Sequence, residues 1–251
     1  MGAAFLTTAG ANQAAAQKLS LEYSVTLLGV EIYTVDVDVN IGANAYGSDV
    51  NIKSAGVVGF VSSGGITAAV NGLFNSPAPT PRQFKYSSKA FGSTKSVAVT
   101  WSDGQFPVTK RDFDIEPKQE AALANAISKD IKDPLSLVIA HMIKPANKTC
   151  SGKNRLYTGR AVYGYSLTAQ GVGNVESEAF TGKAYKCRVT YRLLAGGSDG
   201  FVKSLEDNPP KPVSVWFVPI TSSGQQLLMP VAAETSVKGQ SLVVSLTGKK
   251  F

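Results

Sequence analysis

The chain is poor in the side chains on which most hydrolytic and metal chemistry depends: it carries one histidine, two cysteines and three methionines. Zinc centres recruit three or four Cys, His or carboxylate ligands, and no such cluster is legible here. His141 stands in "AHMI", which lacks the second histidine and the glutamate of a zinc-binding HExxH helix, and no GxSxG nucleophile elbow is present. The chain also lacks any apolar run approaching the roughly 18 residues of a membrane-spanning helix, which excludes a helical integral membrane protein. No fixed-length repeat is evident.

What is present is a basic chain of 251 residues with a formal charge of +7 and 43% hydrophobic residues, enough to bury one sizeable core. The charge is lopsided. Residues 1–143 carry 11 basic and 12 acidic side chains, and residues 144–251 carry 14 and 6, so the second half is at +8 and the first at −1. A surface that meets an anionic partner, or scattered lysines that keep β edges soluble, both account for this asymmetry.

Alternation with a period of two is the strongest signal. In "LSLEYSVTL" Leu19, Leu21, Tyr23, Val25 and Leu27 alternate with polar residues; in "VEIYTVDVDVNI" Val35, Val37, Val39 and Ile41 do the same, and the break at Gly29 predicts a hairpin or sharp bend. Weaker versions follow to the C-terminus, separated by Gly, Asn, Asp, Ser and Pro. The expected fold is all-β and mainly antiparallel: a curved meander forming an open barrel or β-spiral, with one short amphipathic helix inserted near the middle. "NSPAPTPRQ" at 75–83 reads as an extended loop too short to link domains, and "GVGN" at 171–174 reads as a turn, so residues 17–251 are expected to form one β domain.

The helix is expected at 134–143. Asp133 suits the N-cap and Pro134 the first helical position, and Leu135, Val138, Ile139 and Met142 form one apolar stripe that Pro145 terminates. Gln119 to Ile127 is a second short helical candidate. A helix inserted into an all-β chain plugs an open end or covers a sheet face; a lid over a ligand groove is the functional alternative, with Leu135, Val138, Ile139, Met142, Tyr185 and Tyr191 as its candidate lining.

Acidic residues at alternate positions mark the wet faces of strands. "DVDVN" fails as a calcium loop, because Ile41 stands at the sixth position and Gly47 at the twelfth. Asp36 and Asp112 are the carboxylates on which an enzymatic reading would rest. In "KAYKCRVTYR" Tyr185, Val189 and Tyr191 share a face with Cys187, whereas Lys186, Arg188 and Arg192 alternate with them and form a candidate contact for an anionic surface. That separation argues against stacking on single-stranded nucleic acid.

The first residues are uncharged as far as Lys18, and Ala14-Ala15-Ala16 resembles a signal-peptidase site, so residues 1–16 are expected to be the remnant of a secretory signal. Two cysteines far apart, one of them in the apolar register of a strand, then point to a structural disulfide between Cys150 and Cys187; two buried free thiols are the alternative.

"KDPLSLVIAHMI", the cysteine followed by "RLYTGRAVYGYSL", then "FTGKAYKCRVTYRLLAG", "PVSVWFVPI" and "LLMPVAAETSVKGQSLVVSL" resemble, in order, an exported Gram-negative family called domain of unknown function 3108. The likeness centres on Asp133-Pro134-Leu135-Ser136, a strand centred on Gly159, and the segment with Gly182, Tyr185, Cys187 and Tyr191. It implies a secreted, mostly periplasmic β protein without an established activity. Together these readings lead to the expectation of a periplasmic, non-enzymatic protein with no cofactor or metal. It would serve envelope integrity as a scaffold or binding module for envelope lipids or an anionic polymer, or alternatively carry a lipid or other apolar ligand in the curve of its sheet.

Overall fold

The computed structural model describes residues 17–56, 64–75, 78–90, 92–222 and 224–251; the expected signal remnant at 1–16 lies outside them. Thirteen strands form one sheet. The first run is β1 (Gln17–Leu27), β2 (Val30–Ile41), β3 (Ala45–Ser54), β4 (Gly65–Asn75), β5 (Ala78–Ala90), β6 (Ser93–Thr100) and β7 (Val108–Arg111). The second is β8 (Gly152–Tyr157), β9 (Ala161–Ser177), β10 (Phe180–Gly196), β11 (Val213–Ser222), β12 (Gln225–Val237) and β13 (Gln240–Lys250). Each run is an antiparallel meander, and pairing of β1 with β13 joins them, leaving β7 and β8 as the edges.

Local chemistry sets these hairpins. Leu28 and Gly29 have φ of 52° and 80°, and Lys238 and Gly239 have φ of 49° and 81°, the double left-handed pair of a two-residue turn whose twist matches its strands. From Ala78 onward the proline-dense stretch is strand and not loop. Pro79 and Pro81 lie in β5, paired with Phe74 and Gly72 of β4, and β6 joins β5 only from Gln83 onward. The prolines thus occupy the part of β5 whose second edge is unpaired, where a missing N–H costs no ladder bond. "GVGN" is likewise not a turn but part of β9, where Gln170 and Gly171 stand opposite Lys186 alone as a bulge. Gly159 is not the centre of a strand; it makes the turn between β8 and β9 at φ 82°.

Among the described residues three α-helices connect the strands: α1 (Pro117–Ala126) and α2 (Pro134–Met142) between β7 and β8, and α3 (Asp199–Asp207), which the sequence reading did not foresee, between β10 and β11. The α1–α2 connection runs from one sheet edge to the other, and α2 touches β4, β5, β8 and β12. Ile139 and Met142 of α2 enter the main core with Leu19, Val39, Tyr46, Phe84 and Val99. A second cluster joins Leu21, Tyr23 and Leu246 to Met229 and Val231, because β12 pairs with β13 only from Ala232 on and its first half lies over β1. Tyr23 Oη, donating to the Pro230 carbonyl at 2.8 Å, ties that overlap.

The two edges meet through side chains and not through a backbone ladder. Arg111 of β7 donates from Nε to the Gly159 carbonyl (2.5 Å), from Nη2 to Tyr157 Oη (3.0 Å) and from Nη1 to Glu120 (3.0 Å), and Thr109 Oγ1 lies 2.9 Å from Tyr157 Oη. Lys132 pairs with Leu156 beside β8, and the Trp101 indole donates to the Ile131 carbonyl at 2.8 Å. A Cβ at Gly159 would collide with Val97, so the turn closes against β6 only as glycine.

Cys150 and Cys187 form a disulfide across 37 residues, with their Cα atoms 5.1 Å apart, so the segment after α2 is stapled to β10.

Replacing Arg111 with Lys keeps the charge and loses the planar fork; we expect a loss of about 2 kcal/mol in urea unfolding, and Arg111→Ala to cost more. A change below 0.5 kcal/mol for both would show that the seam is held otherwise. Closing the disulfide loop stabilises by about 4 kcal/mol in the chain-entropy treatment, so paired Cys150→Ser and Cys187→Ser substitution is expected to lower the denaturant midpoint by a corresponding amount.

Candidate functional site

The site is built around α2. Asp133 caps the helix, accepting the Ser136 backbone N–H at 2.9 Å, and Pro134 begins it. Ser136 Oγ also donates to the Asp133 carboxylate and lies 2.7 Å from Tyr46 Oη, which anchors the helix start to β3. Burial pushes the Asp133 carboxyl upward while the Ser136 hydrogen bonds oppose the shift; burial pushes the Tyr46 phenol upward as well.

Three of the four expected stripe residues behave as a core face: Ile139 and Met142 are buried and Leu135 is half-buried against the main core. Val138 does not; it is 45% exposed. Leu137 and His141, outside the stripe, are buried instead. The physical reason is that the rolled sheet flanks the helix on two sides, so a single 3.6-residue stripe describes only half of its contacts.

Between α2 and the second meander lies a hollow of about 690 Å³. Leu137, Val138 and His141 face it from α2, with Leu156 of β8, Tyr163, Tyr165 and Leu167 of β9, Val189, Tyr191 and Leu193 of β10, Val215 and Phe217 of β11, and Leu205 of α3. On the other side of the helix a smaller hollow of about 250 Å³ is lined by Leu21, Tyr23, Val35, Leu135, Ile139 and neighbours. Val138, Val215 and Pro230 line both, so the exposed valine stands where the two spaces adjoin.

The walls are almost wholly apolar, with one partly buried polar pair. His141 Nε2 lies 3.3 Å from Tyr165 Oη, and His141 Nδ1 is buried without a hydrogen-bond partner. Burial, with a lesser contribution from Lys144, lowers the imidazole to about 4, and burial raises Tyr165 to about 12. Both groups are therefore neutral at pH 7 and offer hydrogen bonds without charge. Such a space suits an apolar chain with one polar end.

Of the expected groove residues, Tyr191 is 39% exposed and lines the larger hollow, whereas Tyr185 pairs with Phe217 and lines neither. The expected basic row is uneven: Arg188 and Arg192 are exposed, but Lys186 is half-buried with Nζ 4.9 Å above the Trp216 ring. Leu137, Tyr163, Tyr165, Leu167, Val189 and Phe217 went unnoticed as lining. The alternation in "AVYGYSL" puts Tyr163, Tyr165 and Leu167 on one face, but alternation does not say what lies opposite that face.

Asp36 and Asp112 do border one broad hollow of about 1030 Å³ on the other face of the first meander. They are not a catalytic pair. The register runs Asp36, Asn51, Thr67, Ser87, Ser96, and Asp112 accepts from Ser96 N at 2.7 Å, so four strands stand between the carboxylates. At about 4.8 Å per strand the separation along the sheet is far beyond the roughly 5–10 Å of paired catalytic acids. Among the described residues no group of three or more His, Cys, Asp or Glu could hold a metal ion, and no helix is long and apolar enough to cross a membrane.

The architecture is that of an open, barrel-like antiparallel β protein with a helix held inside its curve. A crystal structure of a beta-barrel-like protein of domain of unknown function DUF1849 from Brucella abortus shares this fold: it matches 94% of this chain and 98% of its own length at a TM-score of 0.53 and 10% identity. The chain belongs to the family described as protein of unknown function (DUF3108), whose model matches residues 22–247. No curated protein matches it.

The neutral His141 makes stability depend on pH. Its folded value lies below the ordinary 6.5, so the unfolded chain binds a proton that the folded chain does not. The contribution is complete above pH 6.5 and is lost as pH falls toward 4, by about 3 kcal/mol. Urea unfolding of His141→Gln is expected to be flatter than wild type across that window; parallel curves would place the proton elsewhere.

Proposed function

We propose that this protein is a non-enzymatic carrier that holds the acyl chain of an envelope lipid in the hollow between α2 and strands β8–β11, in the periplasm. The observation that carries this reading is the unequal packing around one helix. Ile139 and Met142 are fully buried on one side, while Leu137, Val138 and His141 line an apolar space of about 690 Å³ on the other. That volume falls within the range of about 300–1,000 Å³ usual for ligand pockets, and burying an alkyl chain contributes about 0.8 kcal/mol per methylene. The His141–Tyr165 pair would meet the hydroxyl, ester or protonated carboxyl at the end of the chain. The disulfide is compatible with an extracytoplasmic compartment and supports the periplasmic assignment.

The alternative role, an envelope scaffold acting through a basic outer row, has less support because Lys186 is held against Trp216 and only Arg188 and Arg192 of the three project freely.

Native mass spectrometry of protein purified from the extracytoplasmic fraction is expected to show a co-purifying lipid, and a fluorescent fatty acid is expected to bind. Val138 is exposed where both hollows adjoin, so Val138→Trp fills them without entering the core. We expect it to weaken binding at least about tenfold with little change in thermal midpoint. Unchanged binding in Val138→Trp, or no lipid with wild type by either method, would overturn the carrier.

A further inference from the structure

The opposite face of the same strands carries a second, chemically different hollow. Arg155 of β8 and Arg192 of β10 both pair in register with Gly164 of β9, so the two guanidinium side chains share one face with a bare glycine between them. The next row places Lys153 opposite Ser166, and Ser166 opposite Thr190, with the two hydroxyl oxygens 2.7 Å apart. These residues line a hollow of about 650 Å³ bounded by Ser128, Asp130 and Leu194.

Its charge is unbalanced. The only carboxylate in the lining, among the described residues, is Asp130, which accepts a hydrogen bond from Ser128 and is held below the usual carboxylate range also by the charges of Lys132 and Arg155. It offsets one of the three lining cations without a contact short enough for an ion pair. Among the described residues the ion pairs join Lys53 to Asp36, Arg82 to Asp103 and Arg111 to Glu120, and none involves Lys153, Arg155 or Arg192. Two strand spacings set the arginine backbones about 10 Å apart, near enough for both long side chains to repel one another and for both forks to reach one group held between them. Guanidinium forks and hydroxyl donors suit the geometry of a phosphate. Leu194 packs against Gly164, its Cδ1 3.3 Å from where a Cβ at position 164 would stand, so the space left for an anion between the arginines lies beside that leucine, toward Ser166 and Thr190.

We propose that Arg155, Arg192 and Lys153, around the Ser166–Thr190 hydroxyl pair, form a binding site for a phosphate group. Gly164 and Ser166 alternate along β9 with Tyr163 and Tyr165, so the cationic side chains and the apolar lining belong to opposite faces of one strand, although Tyr165 and Tyr191 border both hollows. The site therefore stands whether or not the hollow takes a lipid.

The test titrates wild-type protein with inorganic phosphate by calorimetry. In parallel it measures co-sedimentation with vesicles of phosphatidylglycerol and with vesicles of phosphatidylcholine, whose zwitterionic headgroups carry no net charge. Binding to phosphate and to phosphatidylglycerol would make the site a reader of lipid headgroups; binding to phosphate alone would make it a site for a free phosphorylated solute. In either case the double variant Arg155→Gln with Arg192→Gln is expected to lower the affinity at least about tenfold, and Lys153→Gln to lower it less. A control that removes the same charge elsewhere, Lys89→Gln with Lys211→Gln, is expected to bind like wild type. The proposal fails if wild type binds neither phosphate nor phosphatidylglycerol, or if the control loses as much affinity as the arginine variant. All of these side chains are exposed, and thermal midpoints within a few degrees of wild type verify that each variant is folded.

Discussion

Everything in this structure depends on how the two edges of a thirteen-stranded sheet are brought together. They meet at Arg111, whose guanidinium reaches the Gly159 carbonyl, the Tyr157 hydroxyl and Glu120 at once. A continuous ladder would impose a full barrel, and about eight strands already give an interior that side chains can just fill. Thirteen strands enclose more space than side chains can occupy. Contact through side chains lets the sheet stay open there, and the chain between the edges runs back through the curve, carrying α2 with it. The helix is in this sense the filling that an oversized roll requires.

The filling is less complete on one side of α2 than on the other, and the reason lies in what the helix is attached to. Its N-terminus is held to β3 by the Asp133–Ser136–Tyr46 chain of hydrogen bonds, which sets Ile139 and Met142 into the first meander. Its C-terminal continuation is held to β10 by the disulfide. Fixed at both ends, the helix does not settle onto β9–β11. An apolar space between pinned walls remains because neither wall is free to collapse, and collapse is what normally removes such voids. The orphaned Nδ1 of His141 belongs to the same circumstance: a buried nitrogen without a partner is a cost that a fully packed interface would have relieved.

Much of this was legible in the residues. The strand alternation, the hairpin at Gly29, the Asp133–Pro134 helix start and the inward register of Cys187 are local patterns, each set by sterics or by a period of two or 3.6 residues. What escaped were features decided by distant partners. Pro79 and Pro81 read as loop residues until β6 is seen to leave their edge unpaired, and Gly171 reads as a turn until the single opposing Lys186 reveals a bulge. Val138 and Leu137 exchanged roles because the helix has walls on two sides. The hollow itself has no sequence signature, since Tyr163, Tyr165 and Leu167 look the same whether a neighbour fills the space in front of them or leaves it open.

One strand shows how the two faces are made to differ. Along β9, Tyr163, Tyr165 and Leu167 turn toward α2, while Gly164 and Ser166 turn toward Arg155, Arg192 and Lys153. A slip of one residue in the pairing of β9 would present tyrosines to the arginines and a glycine to the apolar hollow, exchanging both environments together. The register is therefore specified from both sides, by burial on one and by cations that need water or an anion on the other. The disulfide reinforces it, because Cys187 pairs with Ala169 of β9 and stays in place only while β10 keeps its alignment. The seam at Tyr157, the staple at Cys150 and the alternation along β9 are thus three constraints on one quantity, the position of the β8–β10 wall relative to α2, and that position sets the width of the hollow.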